Sequence, residues 1–177
     1  GSSVLERTTA RSVIDRMVTA ASRRPESEKL RARGWHVQLF EDRERHIVEG
    51  LAKRMRAASG LQGEDSFNAT NACQEHMIAA AKAHTDRIVL EAFIEGIEQC
   101  KDPYIRSILI QVCDLFALTT LDENRAWYLE HERIDAARSK AISQAVLDLC
   151  AELRPLALEL VEGMGVEESW LNSAMLK

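Results

Sequence analysis

PYIRSILIQVCDLFALTT, Pro103–Thr120, decides the fold. It is the most apolar stretch of the chain. Asp102 ahead of Pro103 gives it a matched start: an Asp side chain accepts from the first free N–H groups, and Pro stands where its missing N–H is not needed. The polar residues Ser107, Gln111 and Asp114 follow at spacings of four and three. They share one thin stripe, and the rest of the circumference is apolar. A helix of that kind has to be enclosed by others, so the spacing predicts the central helix of a bundle.

The flanking segments read the same way. Upstream, a long helix is predicted from about Asp65 to Cys100, about 50 Å at 1.5 Å per residue. Its later half, Ile88–Ile97, is apolar on more than one face and calls for several partners. Before it, a helix over Trp35–Ser59 places Phe40, Ile47, Leu51 and Met55 on one face. Downstream, a short helix over Asp122–Glu132 carries Trp127 and Tyr128. A last long helix over Asp135–Gly163 sets Ile142, Val146, Leu149, Leu153, Leu156 and Leu160 at alternating spacings of four and three, a helix–helix seam. Pro155 interrupts that seam and should bend it. Val4–Ala21 reads as a charged first helix with a narrow apolar stripe, Ser22–Gly34 as a polar linker, and Val166–Leu176 as one more short helix. The expected architecture is an all-α antiparallel bundle of about five to six helices. Its divisions are a cloning scar at 1–3, an N-terminal helix and linker at 4–34, and the bundle at 35–177.

Composition narrows the function classes. Eight Gly and three Pro in 177 residues leave too few turn formers for a β-sandwich. A net charge of −5 lacks the basic surface that phosphate contacts need, so nucleic acid is not an expected partner. No uninterrupted apolar run exceeds Met77–Ala81, which predicts no membrane span. Cys73, Cys100, Cys113 and Cys150 contain no C-x-x-C pair and sit in apolar helical stretches, as reduced, buried thiols do in a cytosolic protein. Arg outnumbers Lys 17 to 6, a codon bias that looks like a GC-rich bacterial genome, and the ending Met175-Leu176-Lys177 is not a peroxisomal tripeptide, so a bacterial cytoplasm is the expected location.

The search for chemistry returns mostly negatives. No carboxylate stands three residues before any His, so a di-iron bundle is excluded. There is no H-E-x-x-H, P-loop, G-x-S-x-G or G-x-G-x-x-G. His76 and His84 share a helix face but stand about 12 Å apart, too far for one metal. Asp114 is the most notable charge, because a lone buried carboxylate is costly. An ion pair with Arg125 or Arg138 is the expected answer, and a catalytic carboxylate is the alternative. Arg125, Trp127, Glu130 and His131, in DENRAWYLEHERID (Asp122–Asp135), form a surface interface, an internal network or a ligand site. Lys53–Arg56 reads as a solvated helix end.

Several submotifs resemble one family. CDLFALTTLDENRAWYLEH (Cys113–His131), SKAISQAVLDLCAELRPLALELVEGMGV (Ser139–Val166) with its Arg154-Pro155 pair, and CQEHMIAAAKAH within Asn68–Phe93 are similar to the C-terminal helical domain of acyl-CoA oxidases. The likeness runs over about Trp35–Leu171. It implies FAD in the full-length enzyme, acyl-CoA as substrate, a trans-2-enoyl-CoA and hydrogen peroxide as products, and a homodimer. It also implies that the catalytic glutamate and flavin-binding segments belong to domains upstream. No catalytic residue is therefore carried onto this chain, Glu130 and Glu132 included, and no FAD is expected on it alone. The role implied is packing, dimerisation and covering of the flavin and acyl site. Asp114, Arg125, Trp127, Glu130, His131, Arg138, Arg154 and Pro155 are the structural or interface candidates. Two other classes stay open. One is an independent helical bundle binding a partner protein or apolar ligand. The other is a regulator's effector domain, which would need a DNA-binding head that the sequence lacks.

Overall fold

A computed structural model describes residues 30–60, 63–166 and 170. The helix expected over Val4–Ala21 and most of that over Val166–Leu176 lie outside these residues. The described residues are all-α. The helices are α1 (Arg33–Ala58), α2 (Gly63–Ala72), α3 (Gln74–Gln99), α4 (Pro103–Glu123), α5 (Arg125–Glu130), α6 (Ala136–Leu153) and α7 (Ala157–Gly163), with a 3-10 turn at Arg154–Leu156 between the last two.

The start of α4 follows its sequence. Asp102 accepts from the backbone N–H of Tyr104 at 2.8 Å and of Ile105 at 3.1 Å, and Pro103 opens the helix. Asp135 caps α6 in the same way, accepting from Arg138 N at 2.7 Å. The connectors are short, so neighbouring helices run antiparallel. Between α3 and α4, Arg106 meets Glu98 at the closed end while Lys82 and Glu123 face each other at the other. Between α4 and the α6–α7 arm, Ser143 donates to Asp122 at 2.6 Å, and Tyr104 reaches Glu159 at 3.5 Å. Helix α1 packs on α3, and α4 packs on both α3 and α6.

The core lies where α1, α3, α4 and α6 meet. It holds Val37, Phe40, Leu90, Ile94, Ile97, Cys113, Ala117, Leu118, Leu121, Tyr128, Ile142 and Leu149. Full burial of one such aliphatic side chain contributes about 1.5–3 kcal/mol. Phe40 and Phe93 both lean on Phe116, at centroid distances of 6.2 and 5.8 Å.

Four expectations change. The helix predicted from Asp65 to Cys100 is two helices. The division falls at Cys73, which keeps φ −89° and ψ −7° and whose N–H bonds back to Thr70 O at 3.0 Å. The face Phe40–Ile47–Leu51–Met55 is buried only at Phe40. Met55 is 48% exposed, because α1 outruns its partners. On α3, Leu90, Ile94 and Ile97 are enclosed, yet Ile88 is 46% exposed, so one apolar face stays open. Of the cysteines, all unpaired, Cys73 and Cys113 are buried, Cys100 is half-buried and Cys150 is exposed. Among the described residues α4 alone is long and apolar enough, by length and composition, to cross a membrane. Here it packs between α3 and α6 with Asp114 buried along it, as a core helix does. The bend at Pro155 is present, as the 3-10 turn.

Candidate functional site

The polar and aromatic groups concentrate at the corner where α1, α3, the end of α4 and α5 converge. Two layers can be distinguished. The inner one is built on Arg43, which occupies a core-facing position of α1, three residues after Phe40. Its guanidinium donates to Asn124 Oδ1 at 2.7 Å and stands 3.8 Å from Asp86 Oδ2. Asn124 in turn donates to Thr120 O at 2.7 Å, and Tyr128 donates to Leu39 O at 3.4 Å. Burial pushes the Asp86 carboxyl up, against the pull of Lys82 and Arg43. Burial also pushes the Tyr128 hydroxyl up, so it stays protonated. Arg43 thus ties three helices together.

The outer layer is aromatic. Trp127 and His131, one turn apart on α5 and its C-cap, stack at 4.3 Å and 18°. His46 of α1 stands edge-on to both, at 4.4 Å from His131 and 5.5 Å from Trp127. Arg133 pairs with Asp42, which Arg45 also reaches at 3.1 Å. The chain leaves this corner through Glu132 at φ 55°, a conformation that is costly for a residue with a Cβ. On the neighbouring face of α1, Glu44 binds His84 at 2.6 Å and pairs with Arg87, which reaches Glu91 at 2.5 Å. These partners hold the Glu44 carboxyl low despite its partial burial.

Asp114 lies elsewhere, near the start of α1. It is buried, and its Oδ1 has no hydrogen-bond partner among the described residues; nor has the buried Oε1 of Gln111, one turn back. Burial pushes its carboxyl up to about 6, against the pull of Arg33 and Arg31. Neither of the expected arginines acts on it. Arg125 faces Asp122 at 3.6 Å, and the Arg138 guanidinium lies over the Trp35 ring at 5.4 Å. Arg31 is itself held by Glu152 through two hydrogen bonds, at 2.8 and 3.2 Å. The adjacent Cys113 thiol is raised to about 12 by burial and by Asp114, which makes it inert as a nucleophile.

The structure therefore brings Trp127 and His131 together and leaves the other candidates apart. Glu130 is exposed beside them. Arg154 and Pro155 lie exposed in the 3-10 turn at the opposite end of the chain's path. Sequence reasoning missed His46, Arg43, Asp86 and the Glu44 group. For Arg43 a signal existed: His36, Phe40, Arg43 and Ile47 follow at four, three and four, so a charge stands within an apolar stripe. For His46 there was none, since its partners are some 80 residues away.

The acyl-CoA oxidase family model matches residues 35–175. This chain belongs to the acyl-CoA oxidase family. Among curated relatives, the acyl-coenzyme A oxidase-like protein of Mus musculus is 28% identical over 124 residues, covering 70% of this chain and 20% of that protein. Peroxisomal acyl-coenzyme A oxidase 2 of Arabidopsis thaliana is 28% identical over 135 residues, covering 76% of this chain and 19% of that protein. The chain spans about a fifth of the length of these two. A third relative, also from Arabidopsis thaliana and named for acyl-coenzyme A oxidase, is 27% identical over 152 residues, which are 82% of this chain and 77% of that protein.

The family implies FAD in the full enzyme, and two of the described helix starts offer it no free first turn. A flavin dinucleotide is held where backbone approaches its phosphates closely, commonly at a glycine or a free helix N-terminus. The first turns of α4 and α6 are already occupied by Asp102 and Asp135. Among the described residues no group of three or more His, Cys, Asp or Glu could hold a metal.

Proposed function

We propose that this chain is the C-terminal helical domain of a bacterial, cytoplasmic, FAD-dependent acyl-CoA oxidase. The whole enzyme would convert acyl-CoA and oxygen to trans-2-enoyl-CoA and hydrogen peroxide. This domain would pack on the enzyme body, contribute to its homodimer and cover the flavin and acyl site, with catalysis housed upstream. The observation that carries the reading is the outward face of α6 and α7. Leu147, Leu158 and Val161 are 63%, 79% and 62% exposed and fall at heptad-like spacing across the 3-10 turn. Large apolar side chains left exposed along one arm suit a face that another surface covers. Family membership, with a span of about a fifth of two relatives, supports the rest of the enzyme as the surface that would cover it.

The test uses the chain alone and the enzyme encoded with it. The chain alone is expected to be colourless and to release no peroxide from acyl-CoA. Joined to the coding sequence upstream of Val4, it is expected to be yellow and active. Leu147→Asp with Leu158→Asp should then cost the enzyme its dimer and flavin while the separate chain keeps its helical signal. A yellow, active chain on its own would overturn the reading.

The second reading, an independent bundle binding a partner protein or apolar ligand, is favoured by the relative that this chain covers over 77% of its length. The open reading frame decides between them. The first reading expects several hundred upstream codons with flavin and base motifs, and the second expects a start codon near Val4.

A further inference from the structure

Gln111 and Asp114 share one turn of α4 and one deficiency. Asp114 is 3% exposed, and its Oδ1 accepts no hydrogen bond among the described residues. Gln111 stands three residues earlier, on the same helix face. Its Oε1 is buried as well, and it too has no donor among the described residues. Side chains at that spacing are neighbours, and Gln and Asp so placed can hydrogen-bond. Two orphaned acceptors side by side lack one donor, and each buried orphan carries a desolvation cost.

The surroundings supply charge but no donor. From the start of α1, Arg33 and Arg31 pull on Asp114 electrostatically, and from α6 Glu152 opposes them. Arg31 is committed to Glu152, with Asp148 also in its field. The Arg138 guanidinium lies over Trp35. His36 gives its Nε2–H to Leu30 O and offers only a lone pair at Nδ1. The donor that remains is a proton on Asp114 itself, which burial favours. A protonated carboxyl donates one hydrogen bond, while an amide accepts through oxygen or donates through nitrogen.

We propose that Asp114 and Gln111 form a proton-gated pair in the polar stripe of α4. With the proton on, Asp114 Oδ1–H donates to Gln111 Oε1, and one bond satisfies both orphans. With the proton released to water, the Gln111 amide turns about its last torsion and donates from Nε2 to the carboxylate. The pair is thus an amide switch driven by pH, set where α4 meets the start of α1.

The test is an NMR titration of the isotopically labelled chain from about pH 4 to pH 8, which brackets the Asp114 midpoint. The Asp114 carboxyl carbon and the Gln111 Cδ and Nε2 signals should titrate together, with one midpoint. In Asp114→Asn the Gln111 signals should no longer titrate. Gln111→Glu sets a second carboxyl on the pair and should raise the Asp114 midpoint by about one pH unit. Ser107→Glu, a carboxyl farther back on the same stripe, should barely move it. Gln111 signals that stay flat while Asp114 titrates would overturn the proposal. So would a Gln111 titration that persists in D114N, or an unmoved midpoint in Q111E. Circular dichroism over the same range separates the switch from unfolding, and the wild-type titration needs no variant to fold.

Discussion

Arg43 and Asp114 are both buried charges on helices of the same bundle, and they are treated in opposite ways. Arg43 is met by Asn124 and Asp86 from two other helices, with its Nε and Asp86 Oδ2 left without a hydrogen bond among the described residues. Asp114 keeps an oxygen without a partner and is answered only at a distance, by Arg31 and Arg33. A charge paired across helices holds those helices in register, and removing one partner is expensive. A charge left unpaired is a standing cost, which the protein lowers by binding a proton. The first is architecture; the second is a demand that the described residues do not meet.

The comparison can be broken from either side. Arg43→Met should have the largest effect, a loss of about 3 kcal/mol in urea unfolding, because Asn124 loses its donor and the half-buried Asp86 keeps only the more exposed Lys82. Arg43→Met with Asp86→Leu should recover much of that loss; if the double variant is worse than the single, the pairing argument is wrong.

Asp114→Asn should move the other way and depend on pH. The folded-state carboxyl is at about 6 against an ordinary 3.8, so the native state holds the proton more tightly than the unfolded chain. Wild-type stability therefore carries the full penalty above pH 6 and sheds it as pH falls toward 4. At pH 8 the Asn variant should be more stable, by up to about 3 kcal/mol, and the advantage should vanish near pH 4. A pH-independent difference would remove the buried carboxyl as its cause.

His36 runs against Asp114. It is fully buried, its Nε2–H donates to Leu30 O at 2.6 Å, and burial lowers it from 6.5 to about 4. The unfolded chain takes up this proton first, so its stabilising effect is complete above pH 6.5 and drains away as pH falls to 4. The two groups partly cancel in the wild type. In Asp114→Asn the acid loss from His36, about 3 kcal/mol, should stand uncovered, and in His36→Gln it should disappear. The smallest effect is expected at Arg31→Ala, since its pair with Glu152 is exposed. Its melting temperature should match that of the wild type.

The fold was largely legible because it rests on local chemistry. Asp102-Pro103 and Asp135 announce helix starts that are present as hydrogen bonds, and Pro155 announces its bend. The break at Cys73 was not legible. No Gly or Pro marks it, and the turn is made by backbone bonds that any sequence can form. Which half of α1 is buried was hidden as well, since it depends on where α3 and α4 end and not on the α1 pattern. The candidate site was half visible. Trp127 and His131 are a turn apart and could be read as a pair, but their third member is on another helix. The partner of Asp114 was misjudged because proximity in sequence and a matching charge say nothing about which side of α4 the arginine faces.

The short connectors carry a consequence for how the molecule assembles. Only Cys100–Asp102 separates α3 from α4, and only His131–Asp135 lies between α5 and α6. The contacts among these helices thus close small loops and can form early. Helix α1 is different. Its ion pairs reach 40 residues to His84, 91 to Arg133 and, from the residues just before it, 121 to Glu152. Helix α1 is therefore expected to dock last, onto a scaffold of α3, α4 and α6. In a stopped-flow experiment, truncating Leu118 or Ile142 should slow refolding. Truncating Val37 should leave the refolding rate near that of the wild type and speed unfolding instead.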